Sequence, residues 1–193
     1  LNGDNILVWG AQLEQNSFAT SYNKTESSTI TRALDIAQIE KLPIADFFNY
    51  KEMTIIIEGV YNGALDTNSG RRMIELSNGA SANERIGVGV LSGGALGCYI
   101  VTGGVVVASM AAVASPVAGT KYKIALSVKA NEFAVCANGG AVATDTSGAV
   151  PLVTDLTLGN AGLLNAAMNG IITNSSIKNR NSTNAELIAL STI

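Results

Sequence analysis

The chain has 193 residues, 47% of them hydrophobic and only 14% charged, with a formal net charge of −3. That is ample material for a core and not the make-up of a disordered segment, and the slight acidic balance offers no footprint for nucleic acid. Histidine is absent, which removes the commonest metal ligand and the commonest general base together and discounts serine or cysteine triads.

The opening stretch, "LNGDNILVWGAQLEQNSFATSYNKTESST", holds the single tryptophan, Trp9, and closes in a polar run of serine and threonine. Residues 1–28 read as a strand and connector from an upstream module, and residues 29–193 as the domain proper. The chain opens at Leu1 without a charged-then-apolar signal segment, as a piece of a longer polypeptide does.

Next comes "ALDIAQIEK", residues 33–41, with Asp35 and Glu40 in a β-prone run. A retaining glycosidase sets its two carboxyl groups roughly 5 Å apart. Residues an odd number apart on a strand point to opposite faces, so these two acids do not form such a pair. No catalytic residue is expected here or elsewhere, and the chain reads as a non-enzyme.

From residue 53 onward, short β-prone runs alternate with glycine and asparagine turns. They are "MTIIIEGVY", "RRMIELS", "RIGVGVL", "ALGCYIVT", "VVVASMAAV", "KYKIALSVKA", "NEFAVCA", "AVATDTS", "VTDLTLG" and "MNGIITNSSI". Gly103-Gly104 and Asn138-Gly139 predict tight hairpins. With a two-residue turn at Asn138-Gly139, Phe133, Val135 and Val142 would share the core face, and Glu132, Cys136, Ala143 and Asp145 the wetter one. The apolar run at residues 105–119 is broken by Ser109, Ser115 and Pro116 and is too short to span a bilayer.

The last twelve residues, "STNAELIALSTI", place Thr183 three before Glu186, a capping-box spacing, with Leu187 and Leu190 on one side of a short helix. The whole pattern predicts an all-β fold, an antiparallel β-sandwich with a short C-terminal helix. Two cysteines, Cys98 and Cys136, are too few for a disulfide framework and lack metal-ligand spacing; both are expected reduced and unbridged.

Several residues suit a sugar ligand. Arg71 and Arg72 offer guanidinium forks that match a carboxylate, and Arg85 opens a following strand. Tyr61 and Tyr99 are the aromatics placed to stack on a sugar face. Asn62, Asn68 and Asn83 lie in turn-like stretches as hydrogen-bonding groups. Each has a plainer alternative: a strand start with one arginine paired to a nearby acid, core tyrosines, ordinary turn asparagines. Asp66 is a single loop carboxylate, thin support for a calcium ion, so no metal and no cofactor are expected.

The segment "LVWGAQLEQNSFATSYNKTESSTITRALD" resembles the "WGAQLE…SFATSY…TR…D" stretch of bacteriophage tail fibre and tail-spike proteins, which leads into a C-terminal concanavalin A-like (laminin-G-like) jelly roll. The resemblance continues through "ADFFNYKEMTIIIEG", through "KIALSVKANEFAVCANGGAVATDTSGAVPLVTDLTLG" and into "MNGIITNSSIKNRNSTNAELIALST". The chain departs from the family where "NKTESS" replaces the usual proline and glycine, and where the polar "TNSSIKNRN" replaces arginines and aromatics.

The resemblance implies a jelly-roll domain of a virion tail fibre, assembled in the host cytoplasm as a homotrimer and attached to a host cell-surface polysaccharide. It implies neither nucleic acid nor membrane insertion. A purely architectural domain that stiffens or trimerises the fibre is the alternative reading; a glycan hydrolase of the same fold is disfavoured by the unpaired carboxylates. Apolar runs such as "VVVASMAAVAS" exceed what one sandwich core needs, so part of that surface is expected between subunits.

Overall fold

The computed structural model describes Gly10, Leu13, Tyr22, Lys24, Glu26 and Ser28, and residues 37–41, 49–62, 71–161 and 167–193. The chain divides into two compact units, Leu1–Asp35 and Ile36–Ile193. In the first unit, Lys24 and Glu26 form an exposed ion pair at 2.8 Å. Asp35, Asp66 and Asn68 lie outside the described residues; Glu40 is exposed just after the first strand.

The second unit is a sandwich of two antiparallel sheets. Its strands are β1 (Ala37–Ile39), β2 (Glu52–Tyr61), β3 (Arg72–Ser77), β4 (Arg85–Val90), β5 (Leu96–Thr102), β6 (Val105–Val113), β7 (Lys121–Lys129), β8 (Glu132–Ala137), β9 (Ala143–Asp145), β10 (Asp155–Leu158) and β11 (Gly170–Lys178), followed by helix α1 (Asn184–Ser191). One sheet runs β1-β10-β3-β4-β5-β6 and the other β11-β2-β7-β8-β9. The predicted all-β sandwich with a late helix is the observed architecture.

Alternation along each strand decides which side chains enter the core. Ile86, Val88 and Val90 of β4 and Leu96, Cys98 and Ile100 of β5 point inward and meet Ile55, Ile57, Ile124, Leu126, Val128, Phe133 and Val135 of the facing sheet. The Gly103-Gly104 hairpin between β5 and β6 forms as expected, both glycines holding positive φ. β6, the apolar run of residues 105–113, is the edge of its sheet, with Val105 and Val106 exposed.

The β8–β9 connection corrects the expected register. Asn138 and Gly139 do adopt left-handed φ values of 50° and 68°. The turn closes from the Ala137 carbonyl to the Gly140 amide at 2.9 Å, and the strand resumes only at Ala143. Ala143 therefore stands opposite Val135, and Asp145 opposite Phe133. The longer loop shifts β9 by one residue, which flips its faces. Ala143 packs on the main core, while Val142 joins the cluster on the other side.

That other side is not wet, because α1 covers it. Leu187 packs with Ile56, Ala125, Ala134 and Cys136, and Leu190 lies against the same cluster. The approach to the helix is pinned by Thr54, whose hydroxyl donates to the Arg180 carbonyl at 2.8 Å, and by Ser127, whose hydroxyl accepts from the Ser182 amide at 2.9 Å. The capping box forms as the sequence predicts: Thr183 accepts from the Glu186 amide, and Glu186 accepts from the Thr183 amide at 2.8 Å.

Arg180 and the Thr183 backbone hold the Glu186 carboxyl down at about 2. Because this pKa is depressed, the stabilisation is present above the ordinary carboxylate range and is lost as pH falls toward about 2. Amide protection in α1, measured against the intrinsic exchange rate at each pH, is accordingly expected to fall in acid before that of the sheets. Thr183→Ala should lower the unfolding free energy by about 1 kcal/mol in urea titrations.

Both cysteines are buried and free, as expected. Cys98 points into the core and Cys136 under α1, and burial pushes the Cys98 thiol up to about 12.

Candidate functional site

The outer face of the sheet opposite α1 holds a cluster of two arginines and a buried glutamate. The register puts Glu75 of β3 beside Gly87 of β4, and Gly87 beside Tyr99 of β5. Arg72 pairs with Gly89 and Arg85 with Ser77, all on this same face. "RIGVGV" thus sends its isoleucine and valines inward and leaves arginine and two glycines outward.

The glycines shape the surface. A Cβ on Gly87 would collide with the Tyr99 ring, so the missing side chain is what lets the ring lie across β4. A Cβ on Gly89 would strike the backbone of Arg71 and Arg72, where β3 shifts register against β4. The outcome is a groove of about 420 Å³ lined by Arg72, Arg85 and Tyr99, with Leu91 and Ser92 at one end and Ser109 on β6.

Tyr99 reaches over β4 and donates its hydroxyl to the Glu75 carboxylate. Arg72 stacks on the same ring, its guanidinium 4.0 Å from the centroid, and donates through Nη1 to the Val90 carbonyl at 2.8 Å. Its Nε stands 3.9 Å from Glu75 Oε2, an ionic contact too long for a hydrogen bond. The Arg85 guanidinium lies 5.1 Å from the ring centroid. Cation–π contacts of this kind are worth about 0.5–2 kcal/mol each, more as water is excluded.

Glu75 is only 2% exposed. Burial raises its pKa, opposed by the Tyr99 hydroxyl and by the charges of Arg85 and Arg72. Such a buried carboxylate is tolerable only with partners of this kind. Two guanidiniums face one carboxylate, so the cluster keeps one uncompensated positive charge. The Nε atoms of Arg71, Arg72 and Arg85 are all buried without a hydrogen-bond partner. What faces a ligand is the part of the Arg72 and Arg85 side chains that lines the groove, and guanidiniums so placed suit a planar anion.

The sequence-predicted site residues divide accordingly. Arg72, Arg85 and Tyr99 come together in the groove, although Tyr99 is 6% exposed and serves as floor and clamp rather than as an open stacking platform. Tyr61 is a core residue, 1% exposed, because it faces the opposite sheet; its hydroxyl donates to the Arg71 carbonyl at 3.5 Å, so it presents no ring to a sugar. Arg71 sits at the register shift, where its carbonyl also accepts from the Val90 amide at 2.7 Å, and its side chain is not among those lining the groove. Asn62 is exposed at the end of β2, its amide bonded to the Asn169 carbonyl. Asn83 is a turn residue whose carbonyl accepts from Gly104 at 3.0 Å.

Glu75 is not singled out by the sequence, because only strand pairing reveals its place. It shares a face with Gly87 and Tyr99 once "RMIELS" and "RIGVGV" are paired. A second concavity of about 490 Å³ lies along Ala37, Leu158, Met168 and Ile172 to Ser175 and has no charged side chain among its described lining residues. Among the described residues, no cluster of His, Cys, Asp and Glu has the grouping to hold a metal ion.

No protein-family model and no curated protein matches the sequence. Solved structures do. The Ruminococcus gnavus IT-sialidase CBM40 bound to α2,3-sialyllactose is similar with a TM-score of 0.61 and 19% identity, over 74% of this chain and 83% of that one. A leech intramolecular trans-sialidase is similar with a TM-score of 0.59 and 16% identity, over 81% of this chain but 27% of that one. The NanB sialidase of Streptococcus pneumoniae gives 0.60 and 18% over 81% of this chain, again 27% of its own. At these identities the likeness is one of fold: the chain is an all-β jelly-roll sandwich of the kind seen in CBM40 and sialidase structures.

Proposed function

We propose that this domain binds carbohydrate, and that its groove takes a terminal sugar bearing a carboxylate, of the sialic-acid class. The observation that carries this is the pair Arg72 and Arg85 over Tyr99, with one positive charge left over beside buried Glu75. A sugar carboxylate supplies that charge and engages guanidinium donors bidentately, with the pyranose ring in the groove that Arg72, Arg85, Tyr99, Ser92 and Ser109 line. The fold likeness to a sialyllactose-bound CBM40 supports the same ligand class.

The reading is of a binding module rather than an enzyme. Retaining and inverting glycosidases need two carboxyl groups across the bond they cut, and among the described residues this cluster holds Glu75 alone, sealed beneath Tyr99. Calorimetry with 3′-sialyllactose should give binding where lactose gives none, and Arg85→Ala should weaken it by about tenfold or more. Equal binding of lactose would contradict the proposal.

At a larger scale, the domain is proposed to attach a phage tail fibre to its host, working as a homotrimer in the virion. The stretch beginning "WGAQLE", with its tail-fibre resemblance, supports this, and the uncharged edge strand β6 supports self-association. Arg85→Ala virions should adsorb poorly and the full-length fibre should sediment as a trimer; unchanged adsorption or a monomer would count against the respective extension.

A further inference from the structure

We infer that Glu75 is the positioning residue of this groove and the governor of its charge: protonating it strengthens anion binding, so the site holds its ligand more tightly in mild acid. This rests on the reading of the groove as an anion site. Glu75 has a neighbouring strand on each side. On β10, Thr157 stands opposite it, and the carboxylate Asp155, opposite Ser77, lies on the same face. The charge and hydrogen bonds that Glu75 meets come from β3, β4 and β5. Arg72 on its own strand and Arg85 on β4 are permanently charged, and Tyr99 from β5 gives it a hydrogen bond. Gly87, the residue between Glu75 and Tyr99 in the ladder, contributes no side chain.

Two roles follow from that position. As an acceptor, Glu75 fixes the Tyr99 ring, which in turn seats Arg72. As an anion, it is a built-in competitor for the guanidiniums that a ligand carboxylate must use. A ligand carboxylate bound beyond Arg72 lies within one guanidinium's width of Glu75, and two negative charges at that range repel in a site shielded from water. Removing one charge should therefore strengthen binding about fivefold or more.

By linkage, affinity climbs as pH falls through the carboxyl's own titration and levels off below it. The raised pKa places this climb above the ordinary carboxylate range, where the carboxyl of the ligand is still ionised.

Glu75→Gln keeps the shape and an acceptor for Tyr99 while deleting the charge. The expected result is that wild-type affinity for 3′-sialyllactose rises about fivefold as pH falls through the titration of the Glu75 carboxyl, whereas Glu75→Gln binds tightly and equally across the same range. Tyr99→Phe removes a hydrogen bond that lowers the Glu75 pKa, so the midpoint of the climb should move to higher pH. A Glu75→Gln variant that binds more weakly than wild type, with the pH slope unchanged, would overturn the inference and leave Glu75 a structural acceptor.

Carbon-13 NMR of the Glu75 carboxyl separates this from the ligand question. Methanesulfonate, an anion that does not titrate in this range, should raise the Glu75 midpoint; a midpoint that stays fixed overturns the inference even if sialyllactose binds. Failure of sialyllactose to bind while methanesulfonate shifts the midpoint would sink the sugar assignment alone.

Discussion

Gly87→Val is expected to abolish glycan binding, with a loss of about 2 kcal/mol or more, or at least about thirtyfold in affinity. The new side chain would occupy the place of the Tyr99 ring. The ring must then leave the face of β4, breaking its hydrogen bond to Glu75 and the stacking of Arg72 at 4.0 Å. Overpacking costs about 1–3 kcal/mol in folding stability, and it falls on the outer face, not on Ile86 and Val88, which point into the core. The variant should still unfold cooperatively in urea while calorimetry with 3′-sialyllactose shows no heat of binding. Retained affinity would mean that the ring's position is incidental.

Phe133→Ala should be the most destabilising single truncation of the core, at about 3–5 kcal/mol. The ring is 1% exposed in the main cluster and lies opposite Asp145 on the short strand β9. Its ring edge also sits beside Gly148, whose φ of 122° no other residue adopts without strain. A native domain is stable by about 5–15 kcal/mol in all, so this change should move the urea midpoint far and leave little reserve. A shift under about 1 kcal/mol would contradict the packing described here.

Much of the fold is legible in the sequence because alternation and turn chemistry are both strong signals. Runs such as "RIGVGV" have one apolar face, and Gly103-Gly104 turns as read. The C-terminal helix was legible from Thr183 and Glu186 alone, since a capping box is a local device. The reading failed at β9 for a non-local reason. Asn138-Gly139 does turn, but the Gly139 amide donates to the Ser191 hydroxyl at 3.1 Å, a contact made by the helix that lies on this sheet. No local pattern announces that the loop continues to Ala143.

The site was half legible. Arginine and tyrosine types pointed to Arg72, Arg85 and Tyr99, yet nothing local separates Tyr61 from Tyr99. Both end or interrupt β-prone runs; only strand pairing sends one into the core and lays the other across Gly87. Glu75 escaped notice because a lone acid in "RMIELS" looks like the solvated position of an alternating strand. Its burial depends on a ring from two strands away.

Whether a carboxylated glycan sits on Arg72, Arg85 and Tyr99 is decided by amide shift mapping of the labelled domain during titration with 3′-sialyllactose. Saturable shifts are expected, centred on Arg72, Arg85, Gly87, Gly89 and Tyr99 and reaching Ser92 and Ser109, with none from lactose. Saturable shifts centred instead on the Ile172-to-Ser175 concavity, or no shifts at any sialyllactose concentration, would contradict it.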